Sequence, residues 1–104
     1  MDERLVRNLL HNMGPTIVSA LEDEKVVEIM VNPDGKLWIE KLGEEMIVAG
    51  ALASSQTAMI ISLVASALNT TVTDKNPIIE GELPAEKPLN GSRFEGLYPP
   101  VVRS

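Results

Sequence analysis

The chain has 104 residues, 44% of them apolar and 3% aromatic, with a formal charge of −6 and no cysteine. That length supports one hydrophobic core, with a radius of gyration of roughly 13 Å, and the missing cysteines exclude disulfides and thiolate metal sites. The acidic balance argues against direct nucleic-acid contact, where affinity comes from Lys and Arg neutralising phosphates.

The longest apolar interval, Ala58 to Leu68, is interrupted by Ser62 and Ser66 and falls short of the ~20 residues a membrane span needs. Asp2 and Glu3 are wrong for a secretory signal. A soluble, intracellular domain is expected.

Val6, Leu9, Leu10 and Met13 recur at i, i+3, i+4 and i+7 and predict a helix over 3–13, with Asp2 placed to cap it. Gly14-Pro15 then interrupts, because a residue before proline is pushed from helical angles while proline suits a first turn. The pattern reads as a second short helix from Pro15 to about Glu22, with Ile17, Val18 and Leu21 inward, or as a single kinked helix. After the charged break Glu22-Asp23-Glu24-Lys25 the period falls to two. Val27, Ile29 and Val31, the turn Asn32-Pro33-Asp34-Gly35, then Leu37 and Ile39 predict a β-hairpin. Leu42-Gly43-Glu44 supplies another turn, and Glu45 to Ala49 a third antiparallel strand.

Ser54 or Ser55 is placed to cap the next helix, whose Ile60, Leu63, Val64, Ala67 and Leu68 share one face. Residues 70–74 form a loop. Ile78 to Leu83 and Arg93 to Tyr98 are two final strands joined by the turn-rich stretch 84–92. The expected fold is α+β: an antiparallel sheet of about five strands, a three-strand meander plus a C-terminal pair, with two to three helices on one face.

The catalytic inventory is thin. His11 is the one histidine, on the first helix, and suits a solvent-facing or edge position; no Ser-His-Asp order and no phosphate-binding Gly-x-x-x-x-Gly-Lys-Ser/Thr loop is present. Asn32-Pro33-Asp34-Gly35 lacks the ligand spacing of a calcium loop, and Glu44-Glu45, Glu80 and Glu82 suit solvated faces. Phe94 and Tyr98 share a strand face, which is how a base-stacking platform is built, but the scarcity of basic residues favours core packing for both and for Trp38. The five dispersed methionines suit core filling. Arg93, after Gly91-Ser92 at a strand start, either projects toward a partner or an anion or pairs with Glu95 or Glu80 at the surface.

Three blocks carry a resemblance: 28–40 (Glu-Ile-Met-Val-Asn-Pro-Asp-Gly-Lys-Leu-Trp-Ile-Glu), 77–84 (Pro-Ile-Ile-Glu-Gly-Glu-Leu-Pro) and 91–102 (Gly-Ser-Arg-Phe-Glu-Gly-Leu-Tyr-Pro-Pro-Val-Val). In this order they resemble the N-terminal domain of the type II/IV secretion traffic ATPases, the Trb-type conjugal-transfer branch in particular, over nearly the whole chain. The resemblance implies that residues 1–104 are a single N-terminal domain and that the Walker motifs belong to a RecA-like C-terminal domain, before which this chain stops. It implies a hexameric ATPase peripheral to the cytoplasmic face of the inner membrane, energising pilus assembly or DNA transfer. ATP and Mg would serve the full-length parent. Its partners would be its own C-terminal domain, neighbouring subunits and other secretion components. Arg93 matches the Gly-x-Arg position that reaches nucleotide phosphates at the domain junction, and the chain alone is expected to hydrolyse nothing.

Two departures stand out. The connection Ala85 to Asn90 is longer than the short turn of the family pattern, which bears on the reach of Arg93, and Arg103 comes too soon to be the family's second phosphate-contacting arginine. A rival from another class is a free-standing sensory or protein-interaction module, with a ligand pocket between sheet and helices.

Overall fold

A computed structural model describes residues 3–73 and 75–98; the readings placed on Asp2, Asp74, Pro99-Pro100 and Arg103 lie outside the described residues. Helix α1 (Glu3–Glu22) is two helical segments meeting at Gly14, whose φ of 79° and ψ of 174° leave the helical region before Pro15 restarts it. Such a break strips backbone carbonyls of their partners. The Gln56 side-chain amide donates to the Asn12 carbonyl at 3.0 Å, tying the break to the second helix. Leu9, Met13, Ile17, Ala20 and Leu21 are buried, with Val6, Leu10 and Val18 packed partly against them.

Asp23 turns the chain from helix to strand. Its carboxylate accepts the Lys25 backbone N–H at 2.9 Å and pairs with the Lys41 ammonium at 3.3 Å, and its carbonyl accepts the Val26 N–H at 3.0 Å. The Lys25 hydrogen bond, then Lys41, holds its carboxyl below the usual carboxylate range.

The meander follows as β1 (Val26–Val31), β2 (Lys36–Lys41) and β3 (Ile47–Ala51). In the first turn the Gly35 N–H donates to the Asn32 carbonyl at 2.9 Å and the Lys36 N–H to the Asp34 carboxylate at 2.9 Å. Gly35 has a φ of 89°, and a Cβ there would collide with the Leu52 carbonyl oxygen, so this turn requires glycine. β3 starts two residues later than the alternation predicts, and its register against β2 shifts between Leu37 and Trp38, the mark of a bulge.

Helix α2 (Ser54–Ala67) has Ala53 as its N-cap and no side-chain cap bond; Ser54 and Ser55 already lie inside the helix, so neither caps it. Its buried face is Thr57, Ile60, Ile61, Val64 and Ala65, while Leu63 and Leu68 pack partly on the core. This face is rotated from the predicted one: Ile61, not among the residues expected inward, packs close to a glycine of the last hairpin, β4 (Ile78–Glu82) and β5 (Arg93–Leu97), and Leu68 just past the helix lies close to another. A Cβ at Gly96 would stand 3.0 Å from Ile61 Cγ1, and one at Gly81 would stand 3.1 Å from Leu68 Cδ1.

The sheet order is β3-β2-β1-β5-β4. Five strands, the meander, the C-terminal pair and the helical layer are as the sequence predicts, but the sheet is mixed: β1 and β5 run parallel, the other neighbours antiparallel. Alternating hydrophobicity looks the same in either direction, so the central join is not written in it. The radius of gyration is 12.9 Å.

The long connection 84–92 folds back onto the domain. Leu89 is fully buried, the Asn90 side chain donates to the Leu21 carbonyl at 2.9 Å, and the Leu83 N–H donates to the Ser92 carbonyl at 2.9 Å. The loop is clamped to the end of α1 and the ladder runs into β5, placing Arg93 opposite Glu82.

Among the described residues, no helix is long and apolar enough to cross a membrane.

Candidate functional site

The sheet has two unlike faces. Ile29, Val31, Leu37, Ile39, Ile79 and Phe94 belong to the single core beneath the helices. Strand alternation sends their neighbours to the opposite side, which no described element covers. Across that open face the registers make two rows. One runs Val48, Trp38, Met30, Glu95, Glu80; the next runs Glu40, Glu28, Arg93, Glu82. Leu97 and Ile78 pair beyond the first row and border a cleft of about 220 Å³ that Met30 also lines.

Arg93 lies at the centre of the charged row. Its Nε is 3.4 Å from Glu28 Oε1, and one terminal nitrogen lies 3.4 Å from Glu80 Oε2 and 3.6 Å from Glu95 Oε1. The side chain is 45% exposed and these pairs are long, so each contributes little to stability. The surface pairing with Glu80 and Glu95 open from the sequence is the arrangement seen. Glu28 is the partner that sequence reasoning missed: it lies 65 positions away and arrives through the parallel join of β1 to β5. Its carboxyl is pushed above the usual glutamate range, first by burial, then by the neighbouring Glu95 and Glu40, with Arg93 pulling the other way. Three carboxylates thus share one guanidinium, with Glu40 and Glu82 at the ends of the charged row, and among the described strand residues of this face Lys36, further along β2, adds a second cation.

The other expectations sort by face. Phe94 is fully buried and Tyr98 packs against the core, as core packing predicts. Trp38 does not join the core: with Leu37 and Ile39 beneath the helices it must face the other way, and it lies half-buried on the open face. Of the methionines described, only Met13 is buried; Met30 lies on the open face and Met59 is half-exposed. His11 is exposed. Among the described residues, no group of three His, Asp or Glu is arranged to hold a metal ion.

A donor set of one guanidinium among carboxylates can make a single charged contact with a phosphate, by exchanging carboxylate for phosphate oxygens. It cannot by itself form a nucleotide pocket.

Fold and face define an α+β domain built on a half-covered mixed sheet, with an acidic, partly apolar open side. In sequence the chain is 52% identical over 99 residues to a probable conjugal transfer protein TrbB of Sinorhizobium fredii (strain NBRC 101917 / NGR234). It is 48% identical over 99 residues to a conjugal transfer protein TrbB of Rhizobium radiobacter. Each match covers 95% of this chain but 29% of the relative, so the chain spans under a third of the length of these curated relatives. It is related to the Trb conjugal-transfer proteins over nearly all its residues. No family model matches the chain, and no solved structure matches it.

Proposed function

We propose that this chain is the N-terminal domain of a hexameric conjugal-transfer ATPase, peripheral to the cytoplasmic side of the inner membrane, which energises pilus assembly or DNA transfer through a type IV secretion channel. The observation that carries the role in conjugation is the identity of about half, over 95% of the chain, with two conjugal transfer proteins. The ATPase role rests on the resemblance of residues 28–40, 77–84 and 91–102 to the secretion-ATPase pattern. In this role the domain contributes to ring contacts with neighbouring subunits, docks on its own C-terminal ATPase domain and meets other secretion components. Bound ATP and Mg would supply the phosphoryl chemistry, held mainly by that second domain. Arg93 lends one cation at the junction. Its exposure and its loose pairing with Glu28, Glu80 and Glu95 support this, since no tight bidentate bond must be broken first.

The test is made in a protein of the relatives' length. Arg93→Ala is expected to lower ATP turnover by about tenfold or more, and the melting temperature of the 104-residue chain should hardly move. Unchanged turnover would assign Arg93 to its surface pairs alone. Isothermal titration of the 104-residue chain with ATP should give millimolar binding or none; tight binding would overturn the division of labour. The rival sensory module needs a chamber between sheet and helices, and that space is filled by Leu9, Ile17, Ile60, Ile61, Val64 and Phe94, all without exposed surface.

A further inference from the structure

The open sheet face combines two properties that seldom coincide on a surface left to water. Val48, Trp38 and Met30 stand side by side on three adjacent strands, and Leu97 with Ile78 continue the apolar surface on the other two. Val48 is 48% exposed and Ile78 65% exposed. None of the five packs against the core beneath the helices. Beside them lie Glu28, Glu40, Glu80, Glu82 and Glu95. Arg93 is shared among three of these, and among the described residues Glu40 and Glu82 make no ion pair. Glu40 faces Glu28 directly across the β1–β2 ladder, a like-charge pairing that an isolated sheet gains nothing from.

We propose that this face docks a basic amphipathic segment of a partner protein, its apolar side chains on Val48, Trp38 and Met30 and its lysines or arginines on the glutamates around Arg93. Charge complementarity selects this occupant. A second copy applied face to face would bring two acidic fields together, and like-charge juxtaposition is costly at an interface. Anionic lipid and nucleic acid are repelled for the same reason. A basic segment relieves the Glu28–Glu40 and Glu28–Glu95 repulsions while covering the tryptophan, so apolar and electrostatic gains come from one contact. Binding of ATP plays no part in this proposal, which therefore stands or falls separately from the ATPase role.

Trp38 is the chain's single tryptophan, so its emission reports directly on this face. The probe is a synthetic 14-residue peptide of leucine and lysine at helical spacing, free of tryptophan, titrated into the 104-residue chain. A saturable blue shift is expected, weakened by salt and by about tenfold in the triple variant Glu28→Gln, Glu80→Gln, Glu95→Gln. A control triple, Glu3→Gln, Glu22→Gln, Glu24→Gln, removes the same charge away from the face and should bind as the parent does. Equal weakening in both triples would reduce the effect to net charge and overturn the proposal. So would an absent or unsaturable shift, or a Trp38 shift that follows protein concentration without peptide, the signature of a second copy. Backbone amide shifts in the unmodified chain give the same decision without variants: perturbation confined to residues 28–30, 38–40, 78–82 and 93–97 supports the proposal, and perturbation centred on α1 or α2 overturns it.

Discussion

Residues 93 and 94 are chain neighbours that live in different environments. Phe94 lies on the covered face with no exposed surface, opposite Ile29 on the parallel neighbour strand and, like Ile61 of α2, close to Gly96. Arg93 lies on the open face, almost half exposed, among carboxylates. One side of the sheet carries the stability and the other is left free for contact, so the two faces should answer differently to substitution.

The largest effect is expected at Phe94. Phe94→Ala removes a fully buried ring and should cost about 3–5 kcal/mol, read by denaturant unfolding; a loss below about 1 kcal/mol would mean that the covered face is not the stabilising one. Gly96→Ala comes next. Its added methyl would meet Ile61 and Phe94 at 3.0–3.1 Å, and overpacking of this kind costs about 1–3 kcal/mol. Across the sheet, Arg93→Ala should change stability by no more than about 1 kcal/mol, and that change should shrink as acid neutralises the surrounding glutamates.

The smallest effect, and the sharpest in sign, belongs to Glu28. Its carboxyl is raised above the ordinary value of 4.5, so the folded state holds this proton more tightly than the unfolded state. Its stabilising contribution is therefore complete below that value and lost as pH rises through the raised one. Glu28→Gln should melt slightly higher than the parent at pH 7, and the difference should vanish by about pH 4. A variant that melts lower at pH 7 would show that the pair with Arg93 outweighs burial and the repulsion of Glu95 and Glu40. Asp23, lowered by Lys25 and Lys41, runs oppositely: its contribution is present above its ordinary value of 3.8 and lost as pH falls through the lowered one.

The covered face was legible because core packing imposes periodicity. Leu9, Met13 and Ile17 on the first helix, Ile60 and Val64 on the second and Ile29, Leu37 and Ile39 on the meander were all marked by spacing, and all are buried. The same alternation contained the correction for Trp38: if Leu37 and Ile39 face the helices, residue 38 cannot. The aromatic character of Trp38 pulled it toward the core against its position in the strand. Leu89 carried no such mark, since the loop around it has no period; its burial follows from the loop folding back onto α1.

By itself the sequence determined the order and kind of the helices and strands, which glycine must shape the first hairpin turn, much of the aliphatic core and that Arg93 stands at a strand start beside Glu80 and Glu95. These are local consequences of period, turn chemistry and charge. Only the tertiary structure decided that β1 and β5 run parallel, that Glu28 joins the carboxylates around Arg93 and that Trp38 and Met30 line an open acidic face. Those outcomes depend on which strands become neighbours across 65 residues of chain, and that choice is made by burying helices and sheet together, a global gain that no single stretch of sequence records.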